Sequence, residues 1–81
     1  MKYRSEKERR FDEIYNNYAN DVYRVCLYFT RDKAEAQKIA EQTFIEFYGE
    51  FEEINPEYWS AHLICKARDL AKFNPRRRIT K

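Results

Sequence analysis

Two aromatic residues, Tyr58 and Trp59, stand just ahead of a row of cations formed by Lys66, Arg68, Lys72, Arg76, Arg77 and Arg78. Closely spaced cations on or just beyond one helix put several charges on a common side, a layout suited to tracking phosphates. Rings beside such a row offer stacking surfaces for unpaired bases, worth ~1–3 kcal/mol per base. The chemistry these residues can do together is therefore recognition of single-stranded nucleic acid. The plainer alternative places Trp59 in a hydrophobic core and leaves Tyr58 as ordinary surface.

Upstream the charge reverses. Glu41, Glu46, Glu50, Glu52, Glu53 and Glu57 fall within seventeen residues that contain no Lys or Arg, whereas Lys66 to Lys81 carries seven bases against Asp69 alone. The formal net charge of +2 hides this segregation. A sign change within one small domain points to two partners of opposite charge. Its alternative is a pair of solvated helix faces.

Catalysis finds little to work with. His62 is the one histidine in the chain, expected as a packed or half-exposed residue of an apolar helix, so no Ser-His or Cys-His arrangement has a second base to draw on. A glycine-rich phosphate loop, an HExxH pair and an acidic calcium loop are all absent. The carboxylates of Glu35, Glu46, Glu50 and Glu53 invite comparison with a metal site, but the Glu-x-x-His unit of di-metal bundles does not occur. The chain reads as a binding domain with no cofactor, not as an enzyme. Cys26 and Cys65, on apolar helical faces, are expected to be buried reduced thiols. No apolar run approaches the ~20 residues that span a bilayer, and the charged N-terminus lacks a signal-peptide core, so a cytoplasmic protein without a membrane partner is expected.

The elements that must position these groups are helices. One Gly and two Pro in 81 residues leave few places where regular structure must stop, and fourteen aromatics supply the apolar area that a chain this short needs. Phe11, Ile14, Tyr15, Tyr18, Val22, Val25, Cys26 and Phe29 follow steps of three and four. Asn20 or Asp21 is placed to cap a second segment, with a kink near Ala19. A second helix starts at Asp32, with Glu35 completing a capping pair, and carries the stripe Ala36, Ile39, Ala40, Thr43, Phe44, Phe47, Tyr48 and Phe51. Gly49 within it signals either a close helix contact or a weak final turn. Asn55-Pro56 opens a third helix that buries Trp59, Leu63, Ile64, Ala67, Leu70 and Ala71 and stops before Pro75. The expected fold class is an all-α compact bundle of three to four helices, one domain over residues 1–78 with 79–81 as a tail or the start of a linker.

Three spaced blocks of this chain together resemble one family. Phe11-Asp-Glu-Ile-Tyr15-Asn-Asn-Tyr18 with Val22-Tyr-Arg-Val-Cys-Leu27 is similar to the opening of bacterial sigma factors of the small extracytoplasmic-function (ECF) type in the sigma-70 family. The run from Asp32 to Tyr48 resembles their region 2.2, and Leu63-Ile-Cys-Lys-Ala67-Arg68-Asp69-Leu70-Ala71 resembles the helix that follows. The resemblance implies two binding surfaces and no nucleotide hydrolysis. One, on the outward side of Glu35, Lys38, Ile39, Glu41, Gln42 and Ile45, would dock on a coiled coil of the largest subunit of the RNA polymerase core. The other would take promoter DNA: the loop from Ile54 to Trp59 receives a flipped base of the −10 element, and Lys66, Arg68, Asp69 and Lys72 contact the non-template strand. An anti-sigma factor is a further partner that the family admits. Departures from the family's pattern fall at Lys38, commonly acidic, at the order Glu41-Gln42, at His62, commonly Trp, and at Asp69, commonly Asn. The chain is expected to end where the linker to a −35-reading domain would begin. The alternative is a sigma-like interaction module that binds polymerase without reading promoters. A generic helix-turn-helix domain fits less well, because the long second helix lacks the tight turn that motif needs.

Overall fold

A computed structural model describes residues 5–73 of the chain. Helix α1 spans Glu6–Thr30, α2 spans Lys33–Tyr48 and α3 spans Trp59–Lys72. Single 3₁₀ turns at Phe51–Glu53 and Pro56–Tyr58 join the last two. The all-α bundle expected from periodicity is what forms.

Local chemistry sets each boundary. Ser5, in extended backbone, accepts a hydrogen bond from the Glu8 amide, and Glu6 and Glu8 place negative charge in the first turn of α1. At the other end Arg31 adopts a left-handed conformation with φ of 56° and donates its backbone N–H to the Leu27 carbonyl. That one residue turns the chain so sharply that Asp32 already caps α2, its carboxylate accepting from the Glu35 amide at 3.1 Å. Asn55 accepts from the Glu57 amide, with Pro56 at the first position of the turn that leads into α3.

Two expectations need correction. Helix α1 is continuous through Ala19, Asn20 and Asp21, with no second cap. Val22 and Cys26 are fully buried on the face shared with Ile14, so packing holds the stretch helical despite its poor helix formers. Helix α2 stops at Gly49, earlier than the apolar stripe suggests, and Phe51 reaches the core from a 3₁₀ turn instead. A Cβ on Gly49 would meet nothing closer than the Glu46 carbonyl at 3.6 Å, so this glycine marks a weak final turn rather than a close helix contact.

The core is built from Ile14, Val22 and Cys26 of α1, Ala36, Ile39, Thr43, Phe44 and Phe47 of α2, Phe51, and Leu63, Ala67 and Ala71 of α3. The spacing of the last three keeps one stripe of α3 inward, and the two alanines let its backbone approach its neighbours closely. Thr43, the one buried polar residue among those described, donates its hydroxyl to the Ile39 carbonyl at 2.8 Å, so no donor is stranded. Phe11 packs against Phe44, Tyr48 and Phe51, whereas Tyr23 lines a cleft with Gln37 and Ala40, so α1 and α2 run antiparallel. Trp59 shares a cleft with Arg10 and Ile14, and Ile64 and Arg68 share one with Arg24 and Phe29. Helix α3 therefore runs alongside α1 in the same direction, and its basic end lies beside the end of α1.

Candidate nucleic-acid and protein interfaces

Helix α3 positions Tyr58 and Trp59 differently, although they are adjacent. Tyr58 is 55% exposed at the start of the helix, its ring free for contact. Trp59 is half-buried, edge-on to Phe51 at 6.0 Å, and its indole N–H donates to both the Phe51 and Ile54 carbonyls at 3.1 Å. The indole thereby ties the loop before α3 to the helix itself. Its donor is engaged inside the fold, and the ring stiffens the base on which Tyr58 stands.

The cations also divide. Arg68 and Lys72 are exposed, Arg68 with a loose ion pair to Asp69 at 3.6 Å and Lys72 with its ammonium 5.9 Å from the Phe73 ring centroid. Lys66 is instead held between helices, its ammonium 3.1 Å from a Glu50 carboxylate oxygen and 3.5 Å from one of Glu46. Among the described residues the acidic and basic segments thus meet at one seam, where Lys66 of α3 reaches Glu46 of α2 and Glu50 just beyond it. Arg76, Arg77 and Arg78 lie outside the described residues.

Burial pulls the pKa of Lys66 down, but the hydrogen bond and charge of Glu50, then those of Glu46, outweigh it and leave it raised above the ordinary 10.5. A lysine whose pKa is raised on folding contributes its full stability below the unfolded value and loses it as pH rises through the folded one. Lys66→Met should cost up to about 1 kcal/mol at neutral pH, the ceiling for partly exposed pairs. The difference from wild type should fade only in melts above pH 10.5, and a gap that persisted there would exclude the ion pair as its cause.

On α2, Lys38, Glu41, Gln42 and Ile45 face solvent, and Ile45 is 66% exposed although apolar. Glu35 is half-buried. Ile39, which the family resemblance put on the outward side, is 7% exposed and packs in the core, where the apolar stripe of α2 already put it, one helical turn before Thr43. Ile45 does not stand alone. Phe11, Tyr15, Phe44 and Tyr48 join it around a shallow, largely apolar groove of about 410 Å³ between α1 and α2, with Glu41 at its edge. Tyr15 and Tyr48 were absent from the expected surface. Nothing in the α2 sequence signals them, since the groove exists only once α1 lies beside α2.

Cys26 is buried as expected and its thiol is pushed up to about 11 by desolvation, so it stays protonated at neutral pH. Cys65 is a correction: it is exposed, because two positions from both Leu63 and Ala67 it falls on the side of α3 opposite the buried stripe. A thiol titration with a bulky disulfide reagent should find one reactive cysteine in the native chain and two after denaturation. Two reactive thiols without denaturant would mean that the α1 face opens readily. His62 is likewise exposed. Among the described residues no group of His, Cys, Asp and Glu is arranged to hold a metal, and no helix is long and apolar enough to cross a membrane.

With this geometry in place, comparison with known proteins adds one deciding observation. Over 37 residues the chain is 49% identical to the ECF RNA polymerase sigma factor SigM of Bacillus subtilis (strain 168). This segment is ECF sigma-factor-like. The match takes in 46% of the chain and 23% of the relative, so the chain spans well under two thirds of that protein's length. No protein-family model matches, and no solved structure does. The sigma-like resemblance read from spaced blocks is thus supported by an independent alignment to a member of the same class.

Proposed function

We propose that this chain is the polymerase-binding and promoter-binding domain of a sigma factor, a region 2-like unit over residues 1–78, working in the cytoplasm beside RNA polymerase. The observation that carries the reading is the 49% identity over 37 residues to an ECF sigma factor. The exposed faces agree with it. Lys38, Glu41, Gln42 and Ile45, with the aromatic groove behind Ile45, offer the polymerase core an apolar anchor inside a charged rim, the usual anatomy of a protein interface. Tyr58, Arg68 and Lys72 offer an unpaired promoter strand a stacking ring and two phosphate contacts.

The mechanism is recognition without bond-making. Duplex and melted promoter exchange spontaneously, and a domain that holds the unpaired form shifts that equilibrium by its preference for it. Tyr58 receives a base that has left the stack, the cations of α3 follow the backbone beyond it, and the α2 face fixes the domain on polymerase. No nucleotide is hydrolysed.

Titration of a labelled non-template −10 strand at several salt concentrations tests the DNA half. Arg68→Ala and Lys72→Ala should each weaken binding and reduce the slope of log affinity against log salt by about 0.7, the counterion share of one phosphate contact on a single strand. Unchanged slopes in both variants would remove the basic helix from the reading.

A second reading, an interaction module that occupies polymerase without reading promoters, draws on three features. The Lys66 ammonium is held by Glu46 and Glu50, the Trp59 donor is engaged internally, and Asp69 sits against Arg68. Capture of polymerase core by the chain together with no single-strand binding at low salt would favour it.

A further inference from the structure

Helices α1 and α3, running in the same direction, enclose a second groove between their C-terminal halves. Its floor is Val25, Phe29 and Ile64, and Tyr28, Arg24 and Arg68 stand around it. The space is about 320 Å³, at the lower end of small-ligand clefts, and its walls are almost wholly apolar. Tyr28 is 72% exposed, the largest exposure of any big apolar side chain among the described residues. It is not loosely held: its ring meets that of Phe29 edge-on, with centroids 5.0 Å apart and planes at 89°. Phe29 thereby steadies Tyr28, most of whose surface still faces solvent.

We propose that this groove is a second stacking subsite for an unpaired base of single-stranded DNA, with Tyr28 as the platform and Arg24 and Arg68 holding the phosphates on either side. The inference rests on the promoter-strand reading above and extends it to residues of α1. An apolar slot with one exposed ring, flanked by an arginine from each helix, matches the chemistry of a nucleotide, flat and apolar in the base and anionic in the backbone. Arg24 is exposed and makes no ion pair among the described residues, and Arg68 has only its loose contact with Asp69. Both guanidiniums are therefore available to a phosphate. The position also fits a continuing strand. Ile64 and Arg68 lie six to ten residues along from Tyr58, roughly 9–15 Å at the rise of an α-helix. A strand that leaves its first base at Tyr58 and follows α3 passes over this groove a few nucleotides later. Nothing in the sequence pattern of α3 alone could indicate it, because the ring comes from the other helix.

Fluorescence anisotropy with a fluorescein-labelled single-stranded deoxyoligonucleotide, and quenching of 2-aminopurine placed within it, test the groove. Tyr28→Ala should weaken binding roughly 5- to 150-fold, the loss of one stacked base. Tyr28→Phe should stay close to wild type, and Arg24→Gln should weaken binding and lower the salt slope without touching the ring. Quenching at a 2-aminopurine a few nucleotides from the Tyr58 contact should disappear with Tyr28→Ala and survive Tyr28→Phe. Thermal melts should be alike for all, since the side chains are exposed; were Tyr28→Ala to unfold, Arg24→Gln still decides. Unchanged DNA binding in Tyr28→Ala and Arg24→Gln alongside weakened binding in Arg68→Ala would overturn the subsite and leave the promoter-strand reading intact. Loss of polymerase-core binding in Tyr28→Ala with no change in DNA binding would overturn it in favour of a protein contact. Failure of the wild-type chain to bind any single strand at low salt would overturn both.

Discussion

Phe51→Ala should lower the unfolding free energy by about 3–5 kcal/mol, the range for removing a buried aromatic ring. Phe51 is fully buried and belongs to none of the three α-helices, yet four rings gather on it: Phe11 at 5.6 Å, Tyr48 at 6.2 Å, Phe47 at 6.1 Å and Trp59 at 6.0 Å between centroids. These come from α1, α2 and α3, so one side chain closes the end of the bundle where all three meet. Its carbonyl also accepts the Trp59 indole N–H, which ties the ring cluster to the loop carrying Tyr58. A domain this small has only about 5–10 kcal/mol to lose, so the variant should be partly unfolded at room temperature. Phe51→Leu keeps an apolar side chain of similar reach and should cost much less, about 1–2 kcal/mol. Urea titration followed by far-ultraviolet circular dichroism measures both. A Phe51→Ala midpoint close to that of wild type would show that the aromatic cluster does not hold the bundle together.

Ile45→Asp should separate stability from partner binding. The side chain is 66% exposed, so its replacement removes little buried area and should shift the melt by no more than about 0.5 kcal/mol. If the α1–α2 groove is where polymerase core docks, a carboxylate at its edge, beside Glu41, must be desolvated with no partner. Central apolar anchors of interfaces cost ≥2 kcal/mol when truncated, and an unpaired buried charge adds to that. The expected result is roughly 30-fold weaker binding to polymerase core, or more, with the melt unchanged. Tyr15→Ala should act in the same direction, and Glu53→Gln, on the 3₁₀ turn away from the groove, should not. Equal binding by wild type and Ile45→Asp would move the docking surface elsewhere. The two experiments differ in kind: Phe51 fails through the fold, Ile45 through the surface.

The helices, their starts and their ends were written locally. Asp32 with Glu35, and Asn55 with Pro56, use hydrogen bonds within three residues, so their outcome depends on little beyond the chain nearby. The stripes of three- and four-residue spacing likewise set which residues share a face of each helix, and most of the core of α2 and α3 follows from them. The segregation of acids from bases is a property of order along the chain and needed no folding to be seen. What periodicity cannot fix is how wide a sector of each helix its neighbours cover. That width depends on contacts between residues far apart in sequence, and it left Tyr15 40% exposed while Ile14, next to it on the α1 stripe, is buried. The same long-range packing kept α1 continuous through Asn20, seated Lys66 between Glu46 and Glu50, and brought Tyr28 of the first helix beside Arg68 of the last. Local hydrogen bonds and helical repeat thus determined the parts, and only the meeting of three helices decided which charges and rings remain free to bind.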